Sequence, residues 1–190
     1  MTQSELLYSF YGAATTSVPS ASAVTITAGM PEIVVPSNFM AALGRRSSAL
    51  KLKLGGYMTA TATVPTFAFG LARTPFAVGG GVFSAGTPLA TLSNTVTPSA
   101  ASGSFDAEID IGLRAMAPGA ASTVWCSGKV MASPALTTSV WWLNPLGAGG
   151  TTDTAWQPDQ EYYLWPYLTL GAATASNTVT VQYAKLYGEN

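Results

Sequence analysis

Histidine is missing from all 190 residues, cysteine occurs once, and charge is scarce: eight Lys and Arg with nine Asp and Glu make up 9% of the chain, where soluble domains average about 25%. Each shortage excludes something. Without histidine there is no imidazole to act as general base or as zinc ligand, so triad chemistry of the usual kind is gone. The single Cys126 has no intrachain disulfide partner and no imidazole to activate it. Beside Val124, Trp125 and Val130 it reads as a small buried residue. Arg45-Arg46 is the one basic pair. The footprint needed to neutralise several phosphates is therefore absent, and no direct nucleic-acid partner is expected.

A leader and a spanning helix are missing too. The N-terminal MTQSELLYSFYGAATT has no basic region and carries Glu5 before a short apolar run, so it does not read as a secretory signal. Mean hydropathy is positive, +0.29, and the stretch from Thr74 to Phe105 is uncharged. Pro75, Gly79-Gly80-Gly81, Pro88 and Pro98 break that stretch, which a helix of about 20 apolar residues does not tolerate. No membrane partner is expected; an outer-membrane barrel is set aside for want of a leader.

Small neutral residues stand where charge is lacking, with Ser, Thr, Ala and Gly filling roughly half of the chain. A free monomer of this mass exposes about 8,500 Å², so the charged side chains are spaced at roughly one per 500 Å². A net charge of −1 adds weak colloidal repulsion. No Asn-x-Ser or Asn-x-Thr sequon offers glycan cover. Such a surface suits a protein covered by copies of itself or by a shell.

The pattern is all-β. Helix formers are few, while Thr, Val, Tyr, Phe and Trp recur between turn residues spaced about ten apart. Phe105, Ala107, Ile109, Ile111 and Leu113 alternate with Asp106, Glu108, Asp110 and Arg114, a strand with one wet face. Leu50, Leu52 and Leu54 alternate with Lys51 and Lys53, and the Gly55-Gly56 pair predicts a bulge or bend. Val179, Val181, Tyr183 and Tyr187 alternate with Thr178, Thr180, Gln182 and Ala184 in a central or well-paired last strand. Further strands are expected at Thr66–Ala72, Ala77–Phe83, Leu89–Leu92, Thr123–Met131, Leu136–Leu143 and Glu161–Leu170. Pro166 marks the last of these as an edge strand or a broken one. About eight strands at this spacing predict an antiparallel jelly-roll-like β-sandwich over residues 49–190. Residues 1–48, cut by Pro19, Pro31 and Pro36 into the short apolar pieces Leu6–Tyr11, Ala23–Thr27 and Ile33–Val35, predict an extended N-terminal arm with short β segments, with one helical turn at Phe39–Leu43.

Candidate chemistry is thin. Asp106, Glu108 and Asp110, projecting from one strand face, are three hard oxygen donors of the kind calcium takes. They equally suit a solvated strand face, the reading preferred here, or a row pairing with Lys51, Lys53 or Arg45-Arg46 across a subunit boundary. Glu161 and Asp159 would act as glycosidase acids only in an aromatic-lined cleft. The runs Gly79–Gly81 and Gly147–Gly150 precede no Lys-Ser or Lys-Thr and are loop material. Trp141-Trp142 and Trp156, with Tyr162-Tyr163-Leu164-Trp165-Pro166-Tyr167, either stack on sugars or fill the core and a subunit contact, the second being preferred. No catalytic, cofactor or metal residue is assigned.

The ordering GGYMTATATVPTFAFGLA, SFDAEIDIGLRAM, STVWCSGKVM and YYLWPYLTLGAATASNTVTVQYAKLYG resembles a group of jelly-roll virion proteins of tailed bacteriophages, especially those of actinobacteria, over about Ala49 to Tyr187. The aromatic segment Trp141 to Tyr167 and the Pro-punctuated N-terminus depart from that pattern. The resemblance implies a non-enzymatic structural role in the virion. The expected function is a capsid decoration protein that binds the major capsid protein as a homotrimer and stabilises the head shell. The alternative is a tail-tip or fibre jelly roll that uses Trp141, Trp142, Trp156 or Trp165 to bind a host-surface glycan.

Overall fold

The computed structural model describes residues 4–18, 24–27, 29–40, 49–59, 67–75, 87–91, 102–115, 122–132, 142–146, 154–170 and 177–189. These form twelve strands: β1 (Ser4–Ser17), β2 (Val24–Thr25), β3 (Ile33–Val35), β4 (Ala49–Thr59), β5 (Phe67–Thr74), β6 (Thr87–Thr91), β7 (Ser102–Ala115), β8 (Thr123–Ala132), β9 (Trp142–Leu146), β10 (Thr154–Ala155), β11 (Tyr162–Leu170) and β12 (Thr178–Glu189). No helix among the described residues is long and apolar enough to cross a membrane.

The larger sheet runs β1-β12-β4-β7-β8-β10, with β9 also on β8; the smaller runs β2-β11-β5-β6, with β3 also on β11. Every pairing is antiparallel. Placing β1-β12-β4-β7 against β2/β3-β11-β5-β6 makes the chain alternate between sheets, which is jelly-roll winding. β8, β9 and β10, inserted between β7 and β11, widen the larger sheet. The alternations become one core: Leu50, Leu52 and Leu54 of β4 and Ala107, Ile109 and Ile111 of β7 meet Phe69, Leu71, Leu164 and Leu168 of the opposite sheet. Each fully buried Leu or Ile contributes about 1.5–3 kcal/mol of transfer free energy.

The described parts of residues 1–48 hold β strands at the short segments expected there, and these strands are paired into the two sheets. β1 pairs with β12 from Ser4–Glu189 to Ser17–Thr178, β2 and β3 both pair with β11, and Val18, Val24, Ile26, Ile33, Val35, Phe39 and Met40 are buried in the core. The stretch lacks a clean alternation because β1 is an edge strand with two register shifts and β2 and β3 are only two and three residues long. Instead of a helical turn, Ser37–Met40 form a turn with Asn38 at φ 60° and Phe39 N–H donating to Pro36 O at 3.2 Å. Residues 41–43 lie outside the described residues, as do Ala77–Phe83, Leu136–Trp141 and both glycine runs.

Three local expectations are also revised. β11 is central and continuous through Pro166, which faces Leu71 of β5. Its carbonyl accepts from Ile26 N–H at 3.1 Å. A strand residue's N and O point the same way, so the missing donor faces the gap between β3 and β2 and costs no β5 ladder bond. The bulge predicted at Gly55-Gly56 sits on the partner strand, because Gly55 pairs with Tyr183 and Gly56 with Val181, leaving Gln182 extra. That residue reverses the parity of β12. Val179 and Val181 point inward before it, Ala184 and Leu186 after it, while Tyr183 and Tyr187 face outward with Lys185.

Candidate functional site

The outward face of the larger sheet collects most of the chemistry. Antiparallel pairing places Lys185 of β12, Lys53 of β4, Glu108 of β7 and Lys129 of β8 in one row, and Tyr187, Lys51, Asp110 and Ser127 in the next. Lys51 Nζ lies 3.5 Å from Glu108, 3.6 Å from Asp110 and 3.3 Å from Glu189. Glu108 also lies 3.6 Å from Lys53 and 3.6 Å from Lys129. Desolvation raises the Glu108 pKa, but the charges of Lys53, Lys129 and Lys51 outweigh it and hold the carboxyl below its ordinary value. Desolvation likewise lowers Lys51, and its three carboxylates more than compensate, leaving the ammonium raised. Asp106 accepts a hydrogen bond from the Tyr183 hydroxyl.

The acidic row is thus a half-exposed face neutralised from within the chain. The expected partners Lys51 and Lys53 are correct, but the pairing crosses β4–β7 of one chain and not a subunit boundary. No group of three or more acidic or thiol side chains among the described residues is arranged to hold a metal ion. Arg45-Arg46 and the side chain of Arg114 lie outside the described residues.

Aromatic rings surround the charges, and glycine dictates how two of them lie. Gly112 of β7 pairs with Trp125 of β8, and a Cβ at 112 would come within 2.6 Å of the indole Nε1. Gly55 pairs with Tyr183 in the same way, a Cβ there falling 2.7 Å from the ring. Each ring therefore passes over a bare stretch of neighbouring backbone, in the space a β-carbon there would take. Tyr11 of β1 is 68% exposed, with the Lys185 ammonium 4.9 Å from its ring centroid. Leu6, Tyr11, Tyr57 and Trp125 are the large hydrophobic side chains exposed among the described residues, and the register puts all four on this face.

The tryptophans singled out from sequence go elsewhere. Trp156 is buried against Tyr162, ring centroids 4.4 Å apart, and the Arg73 guanidinium lies 4.4 Å from the Tyr162 centroid and 5.6 Å from that of Trp156. Trp165 is buried, its Nε1–H donating to Thr74 Oγ1 at 2.7 Å. Trp141 and the side chain of Trp142 lie outside the described residues. Glu161 and Asp159 are exposed, Glu161 accepting from the Tyr163 hydroxyl at 2.9 Å. Cys126 packs against the core, and burial pushes its thiol up to about 12.

Sequence reasoning missed Trp125, Tyr11 and Tyr57. One signal was available: Trp125 shares its parity in β8 with Ser127 and Lys129, which marks a wet face.

No family model matches the sequence, and no curated protein matches it. Among solved structures the chain is similar to the CBM2 module of the evolved Dit of Lactobacillus casei BL23 phage J-1, at 6% identity, covering 100% of this chain and 97% of that one, with a TM-score of 0.37. Similarity at that level carries no argument about this chain.

Proposed function

We propose that the protein is a non-enzymatic virion module of a tailed bacteriophage that attaches to a surface saccharide through the outer face of its larger sheet. One observation carries the reading: the exposed rings Tyr11, Tyr57 and Trp125 share one open face with a lattice of paired charges. A sugar ring presents an apolar C–H face and a rim of hydroxyls. Trp125 offers an exposed ring seated over Gly112 for the first, while lysines and carboxylates offer donors and acceptors for the second. Rings already held against backbone lose little conformational freedom on binding. The virion assignment rests on the sequence resemblance described above.

A second reading keeps the expected role as capsid decoration protein. It is favoured by the scarcity of charge and by β1, a 14-residue edge strand of the sheet that carries exposed Leu6 and Tyr11. An unpaired edge with apolar side chains is where another copy or a shell protein adds. In that reading homotrimers on the major capsid protein bury this edge.

Titration of the intact protein with host cell-wall polysaccharide, followed by tryptophan fluorescence, separates the two. Quenching that Trp125→Ala abolishes supports saccharide attachment. Absence of quenching and of retention on walls, with threefold clusters of the protein on purified heads, replaces it with decoration.

A further inference from the structure

The charge arithmetic on the outer face narrows the saccharide class. Among the described side chains, four cations, Lys51, Lys53, Lys129 and Lys185, share the face with four carboxylates, Asp106, Glu108, Asp110 and Glu189. Each of these lysines is already engaged, three by carboxylates within 3.6 Å and Lys185 by the Tyr11 ring. A sulfated, phosphorylated or uronic polymer would find Lys185 alone, among the described lysines of this face, without a carboxylate partner, and would approach Glu108 and Asp110 against repulsion. A neutral sugar fits the same lattice, since one hydroxyl of a vicinal pair can accept from a lysine while the other donates to its carboxylate.

The two rings set the length of the site. Tyr183 lies over Gly55 of β4 in the row of Asp106, and Trp125 over Gly112 six residues along β7. At strand geometry the rows are about 20 Å apart along the strands, and the two rings, over the adjacent strands β4 and β7, are offset by about 5 Å across them. The line between the rings passes over the Lys53–Glu108 and Lys51–Asp110 pairs. One sugar ring cannot span it.

We infer that the ligand is a neutral, extended polysaccharide chain lying along β4 and β7 on the larger sheet, one sugar stacked on Trp125, another at Tyr183, with the intervening hydroxyls bridging the Lys–carboxylate pairs. This rests on the saccharide reading above and commits it to a charge class and a minimum chain length.

The test uses the full-length protein with two panels of probes: neutral glucans, mannans, galactans and rhamnans, and anionic alginate, hyaluronan, heparin and teichoic acid. At least one neutral polymer is expected to bind, with affinity changing less than twofold between 50 and 500 mM NaCl. Its disaccharide is expected to bind at least tenfold more weakly. Trp125→Ala is expected to weaken binding at least tenfold while the protein stays fully folded at the assay temperature, and Trp125→Phe keeps binding. Glu108→Gln makes the face one unit more positive and is expected to lose neutral binding and gain weak, salt-sensitive binding of the anionic polymers. Binding confined to the anionic panel, or a disaccharide as good as the polymer, overturns this inference and leaves saccharide attachment standing. No binding in either panel overturns both.

Discussion

The Trp125 indole lies across Gly112 on the neighbouring strand, so that a Cβ at 112 would sit 2.6 Å from Nε1. One missing side chain gives the ring its bed. At Gly56 the neighbour is different: a Cβ would collide with the Thr180 carbonyl oxygen, which is backbone and cannot swing aside. Gly112→Ala is expected to cost about 1 kcal/mol as the indole tilts up, and Gly56→Ala about 3 kcal/mol because the β4–β12 ladder must open. Urea denaturation of both variants checks the order; a milder Gly56→Ala contradicts the register at the Gln182 bulge.

Trp125→Ala removes a ring that is 41% exposed. It is expected to cost less than about 1 kcal/mol of stability, unlike Trp156→Ala, which empties a buried site for about 3–5 kcal/mol. The comparison separates a contact residue from a core residue in one denaturation experiment.

The lysine-held carboxyl of Glu108 links stability to acid. A carboxyl whose folded pKa is depressed stabilises the fold above its unfolded pKa, about 4.3, and that contribution disappears as pH falls through the folded value. Unfolding free energy is therefore expected to be flat from neutrality to about pH 5 and to decline below it. Glu108→Gln is expected to shift less over that acid range. An equally steep decline in the variant means that other carboxylates carry the dependence.

Arg73 spreads its guanidinium over Tyr162 and Trp156 and donates to the Ala155 carbonyl. This ties the β10–β11 connection to the smaller sheet. A lysine lacks the planar fork, so Arg73→Lys is expected to destabilise the fold by about 1 kcal/mol despite keeping the charge. Equal denaturation midpoints would show that charge alone suffices.

Cys126, its thiol pushed up to about 12 by burial, holds almost no thiolate at pH 8. A disulfide reagent is expected to label it only at the rate of global or local opening, and fully in denaturant. Rapid labelling of the folded protein would place the thiol at the surface.

Where the alternation was unbroken, the sequence was legible. Leu50, Leu52 and Leu54 against Lys51 and Lys53, and the Ile109–Ile111 row against Glu108 and Asp110, specified strands and faces because strand periodicity is two and one face must leave water. β12 was misread past Gln182 because one bulged residue reverses parity without any mark in composition. The aromatic site was hidden for a related reason: Trp156 and Trp165 sit in the most conspicuous aromatic run and are buried, while Trp125, in an ordinary strand, is exposed.

An all-β chain, the inward and outward faces of its regular strands and a chemistry without imidazole follow from residue type and period alone. Strand pairing in three dimensions is what puts β1, β2 and β3 in the sandwich, Pro166 in a central strand, and Trp125 and Tyr183 over glycines of neighbouring strands. Those outcomes depend on which strand pairs with which and in what register, and the contacts that settle them join residues far apart along the chain.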